Sequence, residues 1–346
     1  FTVDTSAWYT YFTNAIIPIL DKQNYKAMAL EVGPTIGQIL NDFNSDVAAD
    51  IKSIHNKYLT KESDGYVNTS FPFFDAKEDA QFLQTAKDKS WTIFGIDQEY
   101  YDSYIMLSDK MYSNLSKKAQ IANVELYKKT IAKLKAFYDD DINDVENFHA
   151  ALSKSELYKT FIQKMATEPL NIEIIEAMRK SSEIYLLNHQ KQWFENNATR
   201  ITYMKSRLNK GLSNLNFNIA EDKLLIKMGG YHLSNGFSPL GLHEVGNTLN
   251  EIAEYHGNIA LNIGFITRFH MEDNVIKDNY ESENKYYKNL KDLLQMGKKD
   301  EWIVIDLRPL IKGHFYYPKK YNLNKSIEDL VKRYDLLVIP KMEVEP

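Results

Sequence analysis

The sequence predicts an α/β protein with a central, mostly parallel sheet flanked by helices and carrying a large helical insertion. Three observations lead there. Helical and strand periodicities alternate twice before residue 98, the pattern that builds parallel sheets. From about Glu99 to Gly211 the periodicity is helical only. Strand-like runs then resume, so the sheet core is split in sequence around the helices. On this reading residues 1–98 form the first part of the α/β core, 99–215 a helical insertion or cap, and 216–346 the second part of the core.

The first element runs from Ser6 to Leu20, where Trp8, Tyr11, Phe12, Ala15, Ile16 and Ile19 recur at helical spacing. A strand follows at Ala27–Glu31. Gly33 and Pro34 then open a second helix, along which Ile36, Ile39, Leu40, Phe43 and Val47 mark one face. The polar stretch Lys61–Pro72, with its Gly and Pro, reads as a loop. A helix over Ala76–Lys87 feeds a strand at Trp91–Asp97. Beyond the helical stretch, strands are expected at Lys223–Met228, Ile259–Ile266, Trp302–Leu307 and Asp335–Ile339, with a helix at Gly246–Tyr255. No internal repeat or low-complexity tract interrupts the pattern.

Composition excludes several function classes. With 44% hydrophobic and 26% charged residues the chain is of ordinary globular type, and no apolar run is long enough for a bilayer span, so a membrane-embedded protein is not expected. A net charge of −5 and interspersed lysines and acids give no general attraction for phosphate backbones, which argues against nucleic acid as partner. The expected partner is a small-molecule substrate or ligand held beyond the strand ends. The absence of cysteine rules out disulfides and thiolate chemistry, so any metal, a divalent ion for example, must be held by His, Asp and Glu. Because the chain opens at Phe1, a processed or trimmed N-terminus is expected. Export with removal of a leader and residence in the cytoplasm both fit. Heavy use of Tyr, Asn and Lys suggests an AT-rich bacterial genome.

Three strands end in residues capable of chemistry, and ligands in open α/β sheets sit beyond the carboxyl ends of strands. Glu31 closes an apolar run and there needs a cation, a metal or a hydrogen-bonded histidine as partner; the alternative is that it caps the following helix. Asp97 occupies the same place one strand later and has the same alternative, a cap for the helix beginning near Glu99. His232 follows Gly229, Gly230 and Tyr231 in MGGYH, where glycines permit a close backbone approach to a ligand and the imidazole serves as base, acid or metal ligand, unless it is a surface-loop histidine. Arg200 lies beside an apolar helix face of Ile201, Met204 and Leu208, placed to clamp an anionic group or to be merely salt-bridged. HEVGN at His243–Asn247 lacks the second histidine of a zincin motif, and Glu251, Glu254 and His256 are expected to face solvent.

With these residues in place the chain resembles the erythromycin esterase-like family, grouped in one superfamily with the TraB and ChaN families. MALEVGP is similar to the family's glutamate-bearing strand, FGIDQE to its Gly-x-Asp strand end, RITYM to its Arg-x-x-x-Met helix, and GGYH to its second Gly-x-x-His motif. The resemblance implies a cleft at the strand ends. In it Glu31 and His232 are catalytic or metal-proximal, Arg200 contacts substrate or stabilises charge, and Asp97, Gly229, Gly230 and Tyr231 bind substrate. It implies either hydrolysis of an ester or related acyl bond by activated water, or, as in ChaN-like proteins, haem or iron binding without turnover. The family's Gly-Glu-x-His-Gly motif has no counterpart in FTVDTSAW, where the chain opens.

Overall fold

The computed structural model describes residues 7–43, 46–58, 60–61, 67–68, 72–74, 77–272 and 275–342. They are those of a mixed α/β chain that divides into two units, Phe1–Phe217 with Asp222–Lys227, and Asn218–Glu221 with Met228–Pro346.

In the first unit, α1 (Ala7–Asp21) leads through a turn at Asn24 into β1 (Tyr25–Leu30), followed by α2 (Pro34–Asp42) and α3 (Val47–Tyr58). A short antiparallel pair, β2 (Thr60–Lys61) with β3 (Val67–Asn68), reaches into the segment expected as a loop, whose residues 62–66 and 69–71 lie outside those described. Next come α4 (Lys77–Asp88) and β4 (Thr92–Gly95). The chain is then helical through α5 (Tyr104–Asn114), α6 (Lys117–Ile142), α7 (Phe148–Lys154), α8 (Glu156–Met165), α9 (Pro169–His189) and α10 (Trp193–Asn214), before β5 (Lys223–Lys227).

These strands form a parallel sheet in the order β4-β1-β5, with Leu30 registered against both Gly95 and Lys227. Central β1 is buried along Ala27–Leu30, which is why it reads as an uninterrupted apolar run. Helix α2 packs on β4 through facing glycines. A Cβ on Gly37 would stand 2.0 Å from the Gly95 nitrogen, and one on Gly95 would stand 2.1 Å from the Gly33 carbonyl oxygen. Met28, Ile36, Leu40, Phe82, Leu83, Tyr104, Phe148 and Phe161 form the centre of the core.

The second unit opens with a 3₁₀ turn at Gly230–Leu233 and continues through α11 (Val245–Tyr255), β6 (Ile263–Phe265), β7 (Phe269–Glu272), β8 (Val275–Asp278), α12 (Lys285–Asn289), α13 (Lys291–Leu294), β9 (Ile303–Asp306), α14 (Arg308–Tyr316), α15 (Lys325–Arg333) and β10 (Leu336–Ile339). Its sheet has the order β6-β10-β9, with β10 parallel to β6 and antiparallel to β9; β7 and β8 make a separate hairpin. Leu290, Leu294, Leu307, Ile327, Leu337 and Ile339 are its core. The Asn324 side chain caps α15 by accepting from the Ile327 N–H at 3.0 Å.

The single central sheet that the sequence predicts is therefore divided. Only β5 of the later strands pairs with β1, and the others build a sheet of mixed direction. The strand expected at Ile259–Ile266 shrinks to Ile263–Phe265, and Ile259 is exposed. Among the described residues no helix is long and apolar enough to cross a membrane.

Candidate functional site

Strand β1 ends one residue before Glu31, and β4 ends two residues before Asp97. The two chain ends stay laced beyond the strands: the Ile96 N–H donates to the Leu30 carbonyl at 3.1 Å and the Asp97 N–H to the Val32 carbonyl at 2.9 Å. This lacing sets both carboxylates beyond the same edge of the sheet. Arg200, from the middle of α10, meets them there. Its Nε donates to Asp97 Oδ1 at 2.9 Å, and its Nη2 donates to Asp97 Oδ2 and, at 3.1 Å, to Glu31 Oε1. The apolar face read from the sequence orients the helix, since Ile201, Met204 and Leu208 are all buried.

The ion cluster is deep on its acidic side and open on its basic side. Side-chain exposure is 5% for Glu31 and 6% for Asp97 but 25% for Arg200. Burial disfavours the guanidinium charge, yet Asp97 and Glu31 outweigh it and hold the arginine's pKa above its ordinary value. Nε and Nη2 are committed to carboxylates, whereas Nη1 makes no hydrogen bond among the described residues.

The sequence reading missed Glu99. It is fully buried, and its Oε1 accepts from the Thr35 N–H at 2.7 Å, so this carboxyl, reaching across from the β4 end, serves the first turn of α2, whose N-cap Gly33 makes no side-chain cap bond. Its own N–H donates to Ser181 Oγ at 2.7 Å. Gly33 leaves room for it, since a Cβ there would lie 2.0 Å from Glu99 Oε2. That Oε2 is buried without a hydrogen-bond partner. Burial pushes the Glu99 carboxyl up to about 7, against the pull of Thr35 and Arg207. Asp97, with both oxygens on Arg200, does not act as the helix cap considered for it. Lys227, at the end of β5, was also overlooked. Burial pushes its ammonium down, with Asp79 and Glu31 opposing, and its Nζ stands 5.1 Å from the centre of the Phe82 ring.

In the second unit His232 sits in the 3₁₀ turn and is 6% exposed, so it is not a surface-loop histidine. Its Nδ1 lies 2.9 Å from Glu244 Oε2. A carboxylate only accepts, so Nδ1 carries the proton, and in the neutral ring the lone pair is on Nε2. Glu244, fully buried at the start of α11, also accepts from Ser238 Oγ at 2.8 Å. Of the residues before the histidine, Gly229 accepts the His232 N–H at 3.0 Å, Gly230 accepts the Tyr334 hydroxyl at 2.8 Å, and Tyr231 is half-buried. Glu251, Glu254 and His256 are exposed.

Among the described residues no three His, Asp or Glu side chains converge to hold an ion. The cation held by Glu31 and Asp97 is Arg200, and a second positive centre against the same oxygens would face its repulsion.

No protein-family model matches the chain, and no curated protein matches it. Two solved structures are similar. A histidine-to-asparagine variant of an erythromycin esterase in its open conformation matches with a TM-score of 0.50 and 14% identity, over 94% of this chain and 86% of that one. A protein from Bacillus cereus matches with a TM-score of 0.48 and 12% identity, over 96% of this chain and 85% of that one. At such identity the likeness to the esterase is one of fold.

Proposed function

We propose that this protein is a hydrolase of the erythromycin esterase-like type, cleaving an ester or related acyl bond with activated water. We read its six helices between β4 and β5 as an insertion in an α/β core. The observation that carries the reading is the buried His232–Glu244 pair. Glu244 holds the imidazole by Nδ1, so Nε2 accepts the proton of the attacking water while the carboxylate stabilises the imidazolium that forms. Ser238 occupies the second Glu244 oxygen and so fixes the carboxylate. The family resemblance assigns Arg200 to substrate contact or charge stabilisation, and Glu31 and Asp97 fix the plane of its guanidinium. Gly229, Gly230 and Tyr231 border the substrate ahead of His232.

The fold neighbour supplies the first substrate to try. The purified protein is incubated with a macrolide lactone and with p-nitrophenyl esters, and ring opening is read as the gain of one water by mass spectrometry. Turnover that disappears in His232→Ala and falls in Glu244→Gln supports the reading. A purified protein that hydrolyses none of these and shows a Soret band or stoichiometric iron overturns it.

A further inference from the structure

The end of α14 presents an exposed aromatic and basic surface that the hydrolase reading does not use. Phe315, Tyr316 and Tyr317 are consecutive and 77%, 70% and 65% exposed, and Pro318, Lys319 and Lys320 continue the exposed run. Single exposed apolar residues are ordinary, but three large rings in a row are not. The run is anchored from behind. Leu310 and Ile311 pack on the core of the second unit. The Tyr317 N–H donates to the Gly313 carbonyl at 2.8 Å, the Tyr321 N–H returns to the Tyr317 carbonyl at 3.0 Å, and His314 Nδ1 donates to the Tyr321 carbonyl at 2.8 Å. The rings are therefore displayed on a hydrogen-bonded scaffold.

Along the chain the charge of this run is one-sided, with its acids only at the two ends, Asp306 and Glu328. From Leu307 to Ile327 the chain has five basic residues, Arg308, Lys312, Lys319, Lys320 and Lys325, and no acid, in a protein of net charge −5. Arg308 is paired with Asp306, and Lys325 with Asp329. Lys312, Lys319 and Lys320 are exposed and have no ion pair among the described residues.

We propose that this surface docks the protein on an anionic lipid bilayer, with the three rings entering the interface and the three lysines meeting the headgroups. Charge complementarity selects this occupant. In a protein of net negative charge, a patch of unpaired lysines beside exposed rings is where an anionic surface is attracted, and such contact also sets the orientation. A second copy meeting the same face by two-fold symmetry would bring like-charged lysines together. Nucleic acid, the other polyanion, would call for a longer basic track than three lysines beside a short aromatic run.

The test is co-sedimentation of the full chain with phosphatidylcholine vesicles with and without phosphatidylglycerol. Binding is expected only with the anionic lipid and is expected to weaken as NaCl rises. The variant Lys312→Gln/Lys319→Gln/Lys320→Gln should lose on the order of a hundredfold in partitioning. Phe315→Ala/Tyr316→Ala/Tyr317→Ala should lose binding with an unchanged circular dichroism spectrum. Equal sedimentation with neutral vesicles, no loss in the lysine variant, a self-association that disappears in the aromatic variant, or displacement from anionic vesicles by single-stranded nucleic acid would each overturn the proposal.

Discussion

Replacing Glu99 by glutamine is predicted to flatten part of the pH dependence of stability. The carboxyl is fully buried, and burial outweighs the favourable start of α2, the Thr35 bonds and Arg207, raising it from the ordinary 4.5 to about 7. Between those values the folded protein binds a proton that the unfolded chain has released. Stability from this group is therefore complete below the unfolded pKa and is lost as pH rises through 7. The difference between 4.5 and 7, at 1.36 kcal/mol per pH unit, comes to about 3 kcal/mol above pH 7.

Glutamine keeps the oxygen that accepts from Thr35 and cannot ionise, so its effect on packing is a constant offset while the titration disappears. The assay is urea unfolding followed by circular dichroism for both proteins from acid to alkaline pH. The stability of Glu99→Gln relative to the parent should climb by about 3 kcal/mol between the two ends, because all other titrations cancel in the difference. A difference that stays flat, or that moves in favour of the parent as pH rises, refutes the assignment of a buried, neutral carboxylic acid.

Other consequences follow from the same geometry. Arg200→Leu leaves Glu31 and Asp97 buried without their cation and should destabilise the protein by about 3–5 kcal/mol in urea titrations, whereas Glu31→Gln/Asp97→Asn/Arg200→Leu should recover much of the loss. Gly95→Ala drives a Cβ to 2.1 Å from the Gly33 carbonyl oxygen and should cost about 3 kcal/mol or more, or prevent folding altogether, as judged by the thermal midpoint and soluble yield. Burial pushes the His149 imidazole down to about 3 from 6.5, so acidification below 6.5 draws the chain toward the unfolded state, where that ring is protonated; His149→Gln should make the stability curve shallower on the acid side.

What was legible in the sequence was local. Glu31, Asp97 and Arg200 stand at positions that short-range patterns mark: the end of an apolar run, the end of a second one, and the flank of an apolar helix face. The fold brings these three together. Glu99 was hidden because its partner, Thr35, is distant in sequence and is met only once β1 and β4 pair in register. Glu244 was visible in HEVGN but was tested only as part of a zinc motif. Its tie to His232 depends on a loop closed by Ser238 N–H to the Leu242 carbonyl at 2.9 Å and by the bridge between Phe237 and His243. Helices α12 and α13 escaped notice because five and four residues hold too few turns for a periodicity to register, whereas α15, with Ile327, Leu330 and Val331 at helical spacing, was legible and overlooked. The division of the strands into separate sheets has no sequence signature, since a short apolar run does not name its partner.

The charge count around Arg200 constrains how the residue can act. Two carboxylates face one guanidinium, so the cluster is formally negative and, through its overall field, opposes rather than favours an anionic transition state. On the proposed reading, any stabilisation of an oxyanion there comes from directed hydrogen bonds, from N–H groups whose orientation the carboxylates fix in advance. Lysine in place of Arg200 distinguishes the two accounts. It keeps the positive charge, and much of the pairing with Asp97, but it lacks both the planar fork and the Nη1 donors. If Arg200 works by direction, Arg200→Lys retains most of the stability lost in Arg200→Leu and loses kcat by about 100-fold or more, the scale on which a single oxyanion donor acts. If kcat survives in the lysine variant, the arginine is only the counter-ion that lets Glu31 and Asp97 lie buried, and the oxyanion contact must be assigned elsewhere.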